Sequence, residues 1–471
     1  RGVLPPPARA ATVGAMTLQQ AQQKMRDAGV HPRAIDVFTH YYGELASGAT
    51  GMIPEAEIEP LTDVPRIDDV DVTPEQAREA IAHTAIIKLN GGLGTSMGMD
   101  RAKSLLPVRA GKSFLDIIVA QVRHAREAYG VKLPLLFMNS FHTRQDTLAA
   151  LAAYPDIEVD ELGLDFLQNQ EPKLLVEDLS PVEWPADPSL EWCPPGHGDL
   201  YTALEVSGML ERLLAAGYRY ASISNSDNLG SAPDARIAAW FAASGAPYAA
   251  EVCERTPADV KGGYLVRRRA DGRLVLRETA QTLEEDMEAA MDITRHAYFH
   301  TNNLWFDLQV LADTLNERGG VLGLPLIRNR KTVDPADETT PAVYQIETAM
   351  GAAVEVFEGA RAIEVERSRF RPVKTTNDLL VLRSDVYGLA EDYTLTEHAP
   401  APLVDLDADY YKKIADFDAR IPQAPSLVGA TSLTVQGDWT FESDVTVRGQ
   451  VELRGDDQPR TVTRGTVLEG T

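Results

Sequence analysis

The run Lys88-Leu89-Asn90-Gly91-Gly92-Leu93-Gly94-Thr95-Ser96-Met97-Gly98 sets a glycine-rich loop directly behind Ala85, Ile86, Ile87 and Leu89, which read as a short buried strand. Three glycines within four positions let the backbone turn tightly and present its N–H groups to an anion. Lys103 follows and can add a full positive charge. Two better-known phosphate loops do not fit. The dinucleotide fingerprint requires glycine where Met97 stands, and the P-loop requires Gly-Lys where the chain has Ala102-Lys103. The loop is a third kind of phosphate cradle or a strand turn without a ligand.

The chain of 471 residues exceeds what one core usually supports, so two or three domains are expected. A helix is expected over residues 17–46, starting at a Thr17 cap, with residues 1–11 disordered. A helix at 74–83 feeds the first strand. Beyond it, strands at 133–138, 218–224 and 247–252 alternate with helices at 143–153, 201–216 and 233–243. This alternation predicts an α/β fold with a mostly parallel sheet covered by helices. Residues 426–471 lack a helical period and alternate β-branched residues with glycines, which suggests a small β-helix or, less favoured, a β-sandwich cap. The expected division is an N-terminal helical segment over 1–80, a catalytic domain over 81–400 and a C-terminal domain over 401–471.

A net charge of -25 disfavours nucleic acid and anionic membranes as partners, because both require a positive field. No stretch approaches the length of apolar chain that spans a bilayer, so no membrane partner is expected. The two cysteines, Cys193 and Cys253, lack metal-site spacing and point to a reducing cytoplasm.

Further segments resemble sites. Pro194-Pro195-Gly196-His197-Gly198-Asp199 is a shaped loop in which His197 either faces a ligand or is structural. Asp227, between Asn225 and Asn228 at a strand end, is a candidate for Mg²⁺ held by one carboxylate and substrate phosphates, or else a turn cap. Gly263, Glu278 with Gln281, and Thr301, Asn302 and Asn303 supply mainly neutral hydrogen-bonding groups suited to sugar hydroxyls or to turns. Arg367, Arg369, Arg371 and Lys374 concentrate four cations around Phe370 and Pro372, as a folded basic site or a solvated face.

In this order the segments resemble the eukaryotic-type UTP–glucose-1-phosphate uridylyltransferase (UDP-glucose pyrophosphorylase) family. The strings are LNGGLGTSMG, PPGHGD, SNSDNLG, ADVKGG, TNNLW, QIETAMGAA and SRFRPVKTTNDLL, over residues 35–471. The resemblance implies a Rossmann-like, GT-A-like nucleotidyltransferase core with a short C-terminal β-helix. It places Leu89, Asn90, Gly91, Gly92, Lys103, Gln168, Gly196, Asn225 and Lys374 at the nucleotide, with Gln168 reading uracil. His197, Asn225, Gly263, Glu278, Thr301, Asn302 and Asn303 fall to the sugar phosphate. Lys103, Lys374 and Asp227 are the implied catalytic residues, and Asp227 the Mg²⁺ ligand.

The implied reaction joins UTP and glucose 1-phosphate. Alternatives are a relative acting on another sugar 1-phosphate, or a catalytically silent binding module. His300 and Tyr264 depart from the family's usual asparagine and threonine at the expected sugar end. The charge and the short β-rich tail lead to an expected monomer or small homo-oligomer.

Overall fold

A computed structural model of the chain describes residues 7–256, 259, 262–455 and 458–470. They form two compact units interleaved along the sequence. Described residues of 1–85, 166–223 and 236–365 make the first, and those of 86–165, 224–235 and 366–471 the second.

The first unit begins with helices Pro7–Asp27 and Pro32–Ala46. The single helix expected over 17–46 is thus two, because Gly29 at φ 73° and Pro32 end one and start the next. Thr17 is not a cap. The first helix already starts at Pro7, and the Thr17 hydroxyl is buried against Tyr42 Oη at 2.6 Å. Of the segment expected to be disordered, residues 7–11 are helical, and residues 1–6 lie outside the described residues.

Strand Tyr298–Asp307 organises the sheet of this unit, running antiparallel to Tyr220–Asn225, Tyr248–Glu254 and Tyr264–Arg268. Tyr264–Arg268 also pairs antiparallel with Leu274–Arg277 and Ile58–Pro60, while Tyr248–Glu254 pairs parallel with Arg361–Glu364. The expected mostly parallel sheet is therefore mixed. A hairpin joins 264–268 to 274–277 without the crossover helix that parallel neighbours need, so the chain returns antiparallel. Ile58, Tyr264, Val266, Val275 and Ala290 pack as one core cluster. The helix expected over 201–216 is two, Leu200–Val206 and Met209–Ala215, parted at Gly208.

The fully buried strand Thr84–Asn90, in the second unit from residue 86 on, pairs parallel with Leu135–Asn139, with Asn90 opposite Asn139 at the end where the glycine loop begins. Helix Phe114–Tyr129 starts at a reciprocal Ser113–Asp116 cap and buries Phe114, Leu115, Ile118 and Val122. Toward the C-terminus Leu403–Leu406, Ser426–Gln436, Thr446–Arg454 and Val467–Glu469 stack in parallel, and Trp439–Phe441 pairs parallel with Arg460–Val462. Leu427, Leu433, Val435, Val447 and Val462 are buried among them. Among the described residues no helix is long and apolar enough to cross a membrane.

Candidate functional site

Two groups of side chains, one in each unit, gather the residues singled out from sequence. In the second unit the chain leaves the buried strand at Gly91. No group among the described residues accepts from the N–H of Gly91, Gly92, Leu93 or Gly94. Four such donors in a row are open to an anion.

The carbonyls of the cradle are tied down. Ser226 N donates to Leu89 O (3.0 Å), Ser140 Oγ to Gly91 O (2.9 Å) and Lys103 N to Gly92 O (3.2 Å). Leu89 and Asn90 themselves are buried. Asn90 Nδ2 donates to Asn139 Oδ1 (2.8 Å) and Thr147 Oγ1 (2.9 Å), and its Oδ1 accepts from Ser226 Oγ (3.0 Å). Its side chain therefore pins the loop.

Lys103 Nζ donates to Asp227 Oδ2 at 2.7 Å and to the Val373 carbonyl, and Val373 N donates back to Asp227 O at 3.2 Å. This pair brings the end of strand Tyr220–Asn225 together with the basic segment. Among its four cations, Arg369 bonds the Ala232 carbonyl, Arg371 pairs with Glu397, and Arg367 lies over the Phe370 ring. Lys374 is exposed, and its ammonium has no partner among the described residues. The Asn225 amide is half-buried and likewise without a partner among them. Asp227 has one oxygen on Lys103, and its Oδ1 remains for a second contact. Among the described residues no three His, Cys, Asp or Glu groups converge on a metal position.

In the first unit, Gln168 is buried and its Nε2 donates to Gly196 O at 2.9 Å, which leaves Oε1 as an acceptor. Gly196 adopts φ 77° and ψ 176°, and a Cβ there would lie 2.6 Å from Thr348 O and 2.9 Å from Thr348 N. Only glycine fits. The same two Thr348 groups hold the loop, since Gly198 N donates to Thr348 O (2.8 Å) and Thr348 N to Pro195 O (3.0 Å).

His197 Nδ1 accepts from Met350 N at 3.0 Å, so the proton of the neutral ring sits on Nε2. Burial pushes its pKa down to about 4, which keeps it a neutral donor at physiological pH. Asp199 accepts from the backbone N (2.6 Å) and Nδ2 (2.8 Å) of Asn169, yet burial raises its pKa to about 7. Burial, with Asp199 and Glu347 nearby, pushes Glu171 up as well. Both carboxyls line a cavity of about 30 Å³ together with Tyr41, Asn169, Tyr201 and Thr348.

At the expected sugar end, His300 N donates to Gly263 O at 2.9 Å, and Gly263 lies against Glu278, whose Oε1 would be 2.7 Å from a Cβ on it. The Glu278 side chain also caps Gln281. Thr301 and Asn303 are buried and turned to Glu251, so of the three only Asn302 is half-buried. Tyr264 belongs to the core, where its hydroxyl accepts from Arg277 at 3.1 Å. Of the ADVKGG string, Ala258, Val260 and Lys261 lie outside the described residues.

Sequence reasoning missed Thr348 and Met350, although it singled out the 345–353 string that contains them. It also missed Glu251. The available signal was a lone carboxylate inside the apolar run Tyr248-Ala249-Ala250-Glu251-Val252-Cys253, because a carboxylate buried there has to be hydrogen-bonded.

Comparison with known proteins adds the following. A family model described as UTP–glucose-1-phosphate uridylyltransferase matches residues 35–448. The chain is 37% identical to a probable UTP–glucose-1-phosphate uridylyltransferase of Schizosaccharomyces pombe over 98% of this chain and 90% of the relative. It is 36% identical to the Saccharomyces cerevisiae UTP–glucose-1-phosphate uridylyltransferase over 92% and 86%. The crystal structure of a Leishmania major UDP-glucose pyrophosphorylase variant in complex with UDP-glucose superposes with a TM-score of 0.90 at 41% identity, covering 97% of this chain and 98% of that one. For the UDP-glucose phosphorylase of Trypanosoma brucei the values are 0.88 and 40%, over 96% and 98%.

Proposed function

This chain belongs to the UTP–glucose-1-phosphate uridylyltransferase family, and we propose that it joins UTP and glucose 1-phosphate into UDP-glucose and pyrophosphate. A phosphate oxygen of glucose 1-phosphate forms a bond to the α-phosphorus of UTP, and the bond from that phosphorus to the bridging oxygen breaks with pyrophosphate as the leaving group. A phosphate monoester is already anionic near neutral pH, so no strong base is needed. The difficulty lies in bringing two anions together.

The observation that carries the reading is the row of four unbound N–H groups from Gly91 to Gly94 beside Lys103. In this reading the cradle and Lys103 hold the phosphates, and Lys374 supplies a second cation. Gln168 Oε1 accepts from the uracil imide N–H, an orientation favoured by its bond to Gly196 O. His197 Nε2–H donates to a sugar-phosphate oxygen without changing charge. Asn302 and Glu278 serve the hexose, while Thr301 and Asn303 support the strand.

Asp227 would hold Mg²⁺. Its single carboxylate, with Oδ1 uncommitted, fits a small hard cation that keeps water and phosphate oxygens as its other ligands, and does not fit an all-protein cage. When bound, the ion would neutralise charge on the phosphates.

In the same reading, the stacked C-terminal parallel strands are coils of a short β-helix, which their shared direction supports. A cytoplasmic location agrees with two buried cysteines that are not joined in a disulfide. A monomer or small homo-oligomer agrees with the charge of -25, and light scattering tests it. The test of the reaction is pyrophosphate release from UTP with a panel of sugar 1-phosphates. Release with glucose 1-phosphate above the others is expected, and no release with any of them overturns the reading.

A further inference from the structure

Building on the reading that the first unit holds the hexose, we infer that Glu251 and His300 are positioning residues. They lock Asn302 of strand Tyr298–Asp307 in a bulged backbone conformation that presents its amide to the sugar.

The register of the two strands contains the bulge. Ala250 stands opposite Leu304 and Val252 opposite His300, so Glu251 alone faces Thr301, Asn302 and Asn303. A strand that carries surplus residues bends there, and the bulged residue loses its place in the ladder. Asn302 takes up the bend at φ 59°, the left-handed region that asparagine tolerates better than most residues. Left alone, this conformation has little to hold it.

Glu251 holds one side. Its carbonyl accepts from Thr301 Oγ1 (2.8 Å), its Oε2 from Asn303 Nδ2 (3.0 Å) and its Oε1 from Trp305 Nε1 (2.9 Å). The residues before and after Asn302 are thus fastened to one fully buried carboxylate-bearing residue. His300 holds the other side, because its Nδ1 accepts from the backbone N–H of Asn302 at 3.2 Å. The same nitrogen lies 3.1 Å from Asn302 Oδ1, to which it donates in the other tautomer.

The imidazole adopts this orientation at a cost. In either tautomer Nδ1 is on Asn302, and Nε2 is buried with no partner among the described residues. The ring is wedged in place, since a Cβ on Gly351 would lie 2.6 Å from its Cε1. A buried ring that leaves Nε2 unbound while keeping Nδ1 on Asn302 is serving that contact. Burial pushes its pKa down to about 4, so the ring stays neutral at working pH.

Three variants test the proposal. In E251Q the amide offers one acceptor where two N–H donors converge. H300L keeps bulk and removes the nitrogen that faces Asn302. H300N restores an oxygen close to the position of Nδ1. Because small displacements of a binding group cost heavily, E251Q and H300L should raise the KM for glucose 1-phosphate at least about tenfold and leave the KM for UTP within about twofold, with H300N within about threefold of wild type on both. Circular dichroism and thermal melting check folding; if E251Q does not fold, the contrast of H300L with H300N decides alone. An unchanged KM for glucose 1-phosphate in H300L, or equal rises for both substrates, overturns the proposal. Failure of the wild-type enzyme to release pyrophosphate would instead overturn the proposed reaction.

Discussion

Replacing Gly196 by alanine puts a methyl group where the backbone of residue 348 already lies. The new Cβ would stand 2.6 Å from Thr348 O and 2.9 Å from Thr348 N, nearly 1 Å inside ordinary contact. Those atoms carry the two bonds that fasten the loop, Gly198 N to Thr348 O and Thr348 N to Pro195 O, so relieving the overlap stretches both. Each bond is worth about 1 kcal/mol net. Holding a residue with a side chain at φ 77° and ψ 176° costs about 1–3 kcal/mol more. The total is about 3–5 kcal/mol, close to the stability margin of many proteins. Gly208→Ala is the control: its φ is 69°, nothing lies within 4 Å of an added Cβ, and about 1–2 kcal/mol of backbone strain is expected.

The loop shift also moves Gly196 O, which orients Gln168, and His197. A displacement of about 1 Å can lower kcat/KM about a hundredfold. Urea denaturation of G196A and G208A, with pyrophosphate release assayed on both, separates the two effects. If G196A unfolds at the same urea concentration as G208A and keeps kcat/KM within about threefold of wild type, the argument from the Thr348 contact is wrong.

Lys103→Ala and Lys374→Ala should each lower turnover at least about a hundredfold, and Lys103→Ala should lower stability as well, because only Lys103 is built into an ion pair and a carbonyl contact. Normal turnover would remove either lysine from the phosphates. Asp227→Asn should raise the magnesium concentration needed for half-maximal rate, and an unchanged titration would reduce Asp227 to the partner of Lys103. Gln168→Ala should weaken UTP binding and narrow the preference for UTP over other nucleoside triphosphates, with isothermal titration as the check. Asp199 has its folded pKa raised from 3.8 to about 7, so the stability its protonated form contributes is fully present below about pH 4 and is lost as pH rises toward 7. Asp199→Asn should abolish that loss, since its amide can accept from Asn169 N and, once the Asn169 amide turns over, donate to the Asn169 side-chain oxygen. A melting profile between pH 5 and 8 that matches wild type would count against it.

Local chemistry in the sequence determined where the candidate site residues stand. The apolar run 85–89 followed by glycines specified a strand that must end in a tight loop, and residues 74–83 specified the helix that feeds it. Such features depend on neighbours a few residues apart, whose φ, ψ and side-chain bonds are set locally. The tertiary structure alone decided what each group touches. Lys103 meets Asp227 and Val373 across 124 and 270 residues, and Thr301 and Asn303 turn to Glu251 across 50 and 52. Within the basic segment the arginines are taken up by distant partners while Lys374 is left exposed. No local spacing encodes these choices, because they follow from which distant segments pack together. A buried polar group then takes whichever partner that packing supplies, since going without one is costly.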